Sequence, residues 1–217
     1  TVTELFDLSN TVAKPLLSSV TYPWEALPKI KDFILEIGKQ LSKEEYDSPS
    51  DGIWIAKSAS VAPSAIINPP CIIGKDAEIR QCAYIRGSAI VGNGAVVGNS
   101  CELKNCILFD YVQVPHFNYV GDSILGHYSH MGAGSITSNV KSDKTLVVIR
   151  EGDESMPTQR KKVGAILGDY VEVGCNSVLN PGTVLGPHSN VYPTSSVRGT
   201  VPPHHIYKNE KEIISKK

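Results

Sequence analysis

The stretch Ile73-Gly-Lys-Asp-Ala-Glu-Ile79-Arg-Gln-Cys-Ala-Tyr-Ile85-Arg-Gly-Ser-Ala-Ile-Val91-Gly-Asn-Gly-Ala-Val-Val97 has an aliphatic residue at every sixth position. The series extends upstream through Ile67, Val61 and Ile55, and downstream to Leu103. After one five-residue step it resumes at Leu108, Val114 and Val120, then Leu125 and Met131. It returns as Leu167, Val173, Leu179, Leu185, Val191 and Val197. The residue four after each aliphatic is small, as in Ala59, Ala65, Cys71, Ala77, Ala83, Ala89, Ala95 and Cys101, and the residue one after is often Gly, as in Gly74, Gly92 and Gly98. A period of six fits neither a helix nor a hairpin sheet. It marks a hexapeptide-repeat parallel β-helix, in which three short faces make a coil of eighteen residues. The aliphatic residue points into the prism, so Ile79, Ile85, Val91 and Val97 are core, and the small residue and Gly let the chain turn the corner.

The flanks do not carry the repeat. In residues 1–52, Ile30, Phe33, Ile34, Ile37 and Leu41 have helical spacing, which predicts an amphipathic helix over about 28–41 with Pro28 in its first turn. A shorter helix is expected near 3–8, and the segment as a whole is expected to cap the open first coil, with Trp24 and Trp54 seating it. The β-helix itself is placed at 53–200. Residues 140–163 interrupt it with an alternating run and the basic stretch Arg160-Lys-Lys162, an outward hairpin loop of the kind that often forms ligand sites. The tail, 201–217, leaves the repeat at Pro202-Pro203 and is expected to be helical near 209–216.

Lys+Arg 21 against Asp+Glu 22 gives a net charge of -1, which argues against a dedicated nucleic-acid or membrane-surface binder. No apolar run approaches the roughly 20 residues of a membrane span. Cys71, Cys82, Cys101, Cys106 and Cys175 show no metal-type pairing and read as reduced thiols of a cytoplasmic protein, most of them buried.

Polar residues gather where the period breaks: His116, Tyr119, His127, His130, Asn139, Arg160, Lys161 and Lys162. Upstream, Arg86 and Lys104 are eighteen residues apart, one full coil, and so stack on one face. Two stacked cations suit a phosphate, although on spacing alone a solvated surface is the favoured reading.

Three segments carry a family resemblance: Arg86 to Lys104, His116-Phe-Asn-Tyr-Val-Gly-Asp122, and Gly132-Ala-Gly-Ser-Ile-Thr-Ser-Asn139. Together they resemble the acetyltransferase domain of bifunctional N-acetylglucosamine-1-phosphate uridyltransferase, over about residues 55–200. Arg160-Lys-Lys-Val-Gly-Ala-Ile-Leu-Gly-Asp169 is closer to the archaeal sugar-1-phosphate nucleotidyltransferase/acetyltransferase subgroup. The resemblance implies a left-handed β-helix, an exception to the usual right-handed crossover, and a homotrimer with sites between subunits. It implies an acetyl-CoA-dependent N-acetyltransferase acting on an amino-sugar phosphate, glucosamine 1-phosphate by default, in UDP-N-acetylglucosamine and cell-envelope precursor synthesis, with no metal.

By motif match His116 is the general base, Tyr119 contacts the sugar phosphate, Arg86 and Lys104 hold the phosphate, and Asn139 and Lys162 orient the sugar. His130 stands where the family has a sugar-binding Asn, and Val140 where it has Tyr. Ala133, Cys175 and Pro193 are implied contacts to acetyl-CoA, with Arg160 and Lys161 meeting its phosphates. The assignment is chemically coherent: an amino-sugar ammonium must lose a proton before attacking a thioester, and imidazole titrates near neutrality. No Gly-rich nucleotide-binding segment appears in the first 50 residues, so uridyl transfer is not expected.

Two rivals remain at this level. One is a zinc enzyme resembling the trimeric β-helical carbonic anhydrases, which place three histidines across a subunit interface, with His116, His127 and His130 as the candidate set. The other is a non-catalytic sugar-nucleotide-binding or scaffold β-helix. His188, His204 and His205 read as turn and tail residues.

Overall fold

The computed structural model describes residues 1–216, which form a left-handed parallel β-helix with a helical N-terminal segment. Strands from successive coils pair in parallel, giving three ladders. The first contains Ile53–Ala56, Cys71–Ile73, Ala89–Val91, Ala165–Leu167, Thr183–Leu185 and Thr200–Val201. The second contains Ser60–Val61, Glu78–Ile79, Val96–Asn99, Gln113–His116, His130–Met131, Glu172–Val173, Asn190–Val191 and His205–Asn209. The third contains Ile66–Ile67, Tyr84–Ile85, Ile136–Thr137, Val178–Leu179 and Ser196–Val197. We call them the covered, polar and open faces. Glu102–Leu108 and Tyr119–Leu125 begin on the open face and end on the covered face. They coincide with the five-residue steps Leu103 to Leu108 and Val120 to Leu125, which shorten the corner enough for one strand to bend through it.

The inward aliphatics are where the period puts them: Ile79, Ile85, Val91 and Val97 are all buried. The corners are made differently from the sequence expectation. Left-handed backbone falls three residues after the aliphatic, at Asp76, Cys82, Ser88, Gly94 and Ser100, and not at the Gly that follows it. That Gly is needed because coils stack closely. A Cβ on Gly98 would lie 1.6 Å from the Pro115 carbonyl oxygen of the next coil.

The helical segment is also not a cap. Its main helix, α1 (Ile30–Ile37), packs against Ala89–Val91 and Glu102–Leu108, on the side of the prism. Phe6 meets Phe109 with ring centroids 5.0 Å apart, and the amide of Asp169 donates to the Leu5 carbonyl at 3.0 Å. The cause is a second apolar column. Ile72, Ile90, Ile107 and Ile124 are paired in register on the covered face, are not the inward residues of their strands, and are nevertheless buried. An outward aliphatic ladder needs a cover, and the N-terminal segment supplies it. Trp54 does seat this segment: a Cβ on Gly38 would lie 2.4 Å from its indole ring. At the open end, Ile55, Val61 and Ile67 stay only partly buried.

The insertion is an antiparallel hairpin of Val148–Glu151 and Glu154–Pro157, with Ile149 opposite Met156. It lies outside the prism, while Val147 and Ile149 are buried. The tail is not helical. Glu212–Ser215 folds back antiparallel on His205–Asn209, which extends the polar-face ladder past Asn190–Val191. The cysteines are free, with Cys71, Cys101 and Cys106 buried and Cys82 and Cys175 exposed. Burial pushes the Cys106 thiol up to about 12 and Cys71 further. No helix among the described residues is long and apolar enough to cross a membrane.

Candidate functional site

The shortened corner between the open and covered faces gathers a polar cluster around Asp122. Its backbone is left-handed, φ 49°, a conformation that Asp and Asn tolerate better than most residues. Its carboxylate is buried and accepts from three side chains. Lys104 Nζ donates at 3.0 and 3.2 Å, one coil before it. Asn105 Nδ2 donates at 2.9 Å and Asn139 Nδ2 at 2.6 Å. Asn139 Nδ2 also donates to Tyr119 Oη at 3.2 Å. The Tyr119 ring lies back over its own strand, where Gly121 leaves room; a Cβ there would sit 2.4 Å from the hydroxyl. Burial pushes the Tyr119 phenol up, and the neighbouring Asp122 adds to the effect. Because Asn139 donates to its oxygen, the phenolic hydrogen stays available for a ligand.

Arg86 and Lys104 do stack on successive coils, since the Arg86 amide donates to the Leu103 carbonyl at 2.8 Å. Each already has a carboxylate: Arg86 meets Glu102 at 2.6 Å and Lys104 meets Asp122. The basic run is positioned by the base of the insertion. Lys162 bridges to Val140, the Val147 amide donates to the Arg160 carbonyl at 2.8 Å, and the Val163 amide donates to the Asn139 carbonyl at 3.1 Å.

His116 is elsewhere. It ends a polar-face strand, exposed, at the edge leading into the open face. Its amide donates to Asn118 Oδ1 at 3.0 Å, and buried Asn118 in turn donates to the Gly132 and Ser135 carbonyls at 2.9 and 3.0 Å. Ala133, Cys175 and Pro193 continue this edge. Backbone bonds run from Gly134 to His116 (2.9 Å), from Asn176 to Ala133 (2.8 Å) and from Thr194 to Cys175 (2.8 Å). Within one chain, therefore, the predicted residues form two groups on two edges with the open face between them.

His130 belongs to neither group. It lies on the polar face, its Nδ1 2.8 Å from Glu172 Oε2. His127 is on the third edge, its Nδ1 3.0 Å from the Asp110 carbonyl. Within one chain the three imidazoles lie at separate edges and faces, and no group of three or more His, Cys, Asp or Glu placed to hold a metal occurs among the described residues of that chain.

Three structural features escaped sequence reading. Asp122 organises the cluster, and its signal was its position one coil after Lys104. Asn118 fixes the His116 corner. A stack of Tyr111, Tyr128, Tyr170, His188 and His204 runs down the third edge, with neighbouring centroids 4.8–5.7 Å apart. His188 and His204 are thus members of this column.

The chain is similar to several known proteins. It is 30% identical over 102 residues to a bifunctional sugar-1-phosphate nucleotidylyltransferase/acetyltransferase of Sulfurisphaera tokodaii, a match covering 47% of this chain and 25% of that protein. It is 33% identical over 119 residues to the bifunctional protein GlmU of Methanococcus maripaludis, covering 54% of this chain and 29% of that protein. The match thus spans between a quarter and three-tenths of these relatives. Among solved structures, the acetyltransferase domain of PglB from Neisseria gonorrhoeae, in complex with acetyl coenzyme A, aligns with a TM-score of 0.36 and 15% identity over 74% of this chain and 56% of that one. The profile of the family described as the GMPPB C-terminal domain matches residues 67–201, more than half of the chain, and the chain belongs to that family.

Proposed function

We propose that the chain is an acyltransferase that moves an acetyl group from acetyl-CoA to the amine of an amino-sugar phosphate, with glucosamine 1-phosphate the default acceptor. The observation that carries this reading is the constellation at the shortened corner: Tyr119 with an unspent hydroxyl hydrogen, Asn139 and Lys104 fixed on buried Asp122, and the Lys162 arm beside them. A surface that only needed to be solvated would not bury a carboxylate to orient three donors. The name of one relative, a bifunctional sugar-1-phosphate nucleotidylyltransferase/acetyltransferase, points the same way.

In this reading His116 Nε2 takes a proton from the attacking amine. The amine nitrogen forms a bond to the thioester carbonyl carbon, the carbon–sulfur bond breaks, and coenzyme A leaves as the thiol with the proton returned. Tyr119, Asn139, Arg86, Lys104 and Lys162 hold the acceptor. Ala133, Cys175 and Pro193, aligned below His116, form a track for the pantetheine arm, and Arg160 and Lys161 meet cofactor phosphates. Since the two groups occupy different edges, a homotrimer that sets the His116 edge of one chain beside the Asp122 edge of the next completes the site. An acceptor panel with acetyl-CoA, followed by free-thiol release and product mass, tests the reading. Acetylation of an amino-sugar phosphate or nucleotide-linked amino sugar supports it, and no turnover on any amine of the panel contradicts it.

A further inference from the structure

Leu27, Ile30 and Ile34 turn one side of the N-terminal segment onto the covered face, where all three are buried. Lys31, next to Ile30, is left exposed at the rim. Facing it is the returning arm of the insertion, with Arg160, Lys161 and Lys162. Between the two walls lies a cleft of about 670 Å³, floored by Lys104, Asn105 and Asp122. Lys104 is committed to Asp122. Lys31, Arg160, Lys161 and Lys162 take part in none of the ion pairs among the described residues. The Arg160 Nε is buried and has no hydrogen-bond partner. Lys31 also lies outside residues 67–201, so this wall is an addition to the family's matched span.

Unpaired cations on opposing walls call for an anion that reaches both. A sugar monophosphate is one compact anion that a single wall saturates. A diphosphate presents phosphoryl oxygens to each side, and charge-assisted bonds from Arg and Lys are the strong ones. A cleft of this size is in the range of small-molecule sites and exceeds what one phosphate fills. We propose that this cleft is a diphosphate site, with Lys31 opposite Arg160–Lys162, and that it takes the pyrophosphate of a nucleotide. The inference rests on the acyl-transfer reading for its two sources: the nucleotide of a nucleotide-linked amino sugar, or the ADP portion of coenzyme A.

Titration calorimetry on the full chain tests this with UDP, GDP, coenzyme A, glucosamine 1-phosphate and inorganic phosphate as probes. At least one of the three diphosphate probes is expected to bind. Lys31→Glu should weaken that binding about 10- to 100-fold, the loss expected for a charge-assisted contact. Lys31→Arg should retain it, and the melting temperature should be unchanged in both. Binding of UDP or GDP assigns the cleft to the acceptor, and binding of coenzyme A alone assigns it to the cofactor. The proposal is overturned if none of the three binds, or if Lys31→Glu binds the diphosphate like the parent. The assay is independent of turnover. Lys31-dependent binding without acetyl transfer would sink the enzymatic reading and leave the cleft, and the converse result would do the opposite.

Discussion

Asp122→Asn isolates the charge at the centre of the polar cluster. Asn tolerates the left-handed backbone at φ 49° as Asp does, and it has the same shape, so neither strain nor a cavity is introduced. What changes is the acceptor count. The carboxylate takes bonds from Lys104, Asn105 and Asn139 at 2.6–3.2 Å. An amide offers one oxygen and turns an NH2 toward donors. At least one of the three side chains then loses its partner, and Lys104, whose side chain is about one-quarter exposed, loses its counter-charge. Breaking a buried pair costs about 3–5 kcal/mol, and the partial exposure of Lys104 argues for the lower end, about 3 kcal/mol. In a domain of this size that is roughly 6–12 °C in melting temperature. Thermal unfolding of Asp122→Asn, Lys104→Met and the double variant gives the coupling directly. The double variant should lose less than the sum of the singles. A single variant melting within about 1 °C of the parent, or strict additivity, would refute the role given to Asp122.

Gly98→Ala should prevent soluble folding, because its Cβ would meet the Pro115 carbonyl at 1.6 Å; a soluble, normally melting variant would contradict the coil stacking described. Ile90→Ala, in the outward ladder, should cost about 2–4 kcal/mol and loosen the N-terminal segment, read as faster proteolysis before residue 50; unchanged proteolysis would sink the cover assignment. Burial pushes the Asp169 carboxyl up, although the amides of Asp7 and His127 and the His127 ring act against it. A raised folded value means that the native state binds the proton more readily than the unfolded chain, so this group's contribution to stability falls as pH rises from about 4 through its folded value. The melting temperature of the parent minus that of Asp169→Asn should therefore fall as pH rises through that window, because the neutral amide does not titrate; a difference that is flat or rises would contradict the direction.

The prism was legible because its inward residues repeat every six positions without regard to loops. The side-on wrap was legible in principle as well. Ile72, Ile90, Ile107 and Ile124 each precede an inward aliphatic, and the doubling recurs about once per coil. Read as a second period, it marks a face that must be covered, which excludes a simple end cap. The tail misled because a Lys- and Glu-rich stretch has helix propensity, whereas the unpaired edge at Asn190–Val191 offers a ladder that His205–Asn209 completes. Candidate site residues could be named from sequence, but not how the fold arranges them. His116 and Tyr119 are three apart in sequence, and a corner between them turns one onto the polar edge and the other across the open face. Asp122 was hidden because its partners come from the coil before and the coil after.

The most direct test of the composite site is subunit mixing. His116→Ala and Lys104→Ala are each prepared alone, then unfolded together in equal amounts, refolded, and assayed for acetyl transfer at acceptor levels far below the parent's KM. If His116 and Lys104 act from different chains, random trimers regain about a quarter of the sites intact, and activity rises well above either variant alone. Activity no greater than the mean of the two separate variants would place both residues in one chain's site and contradict the account.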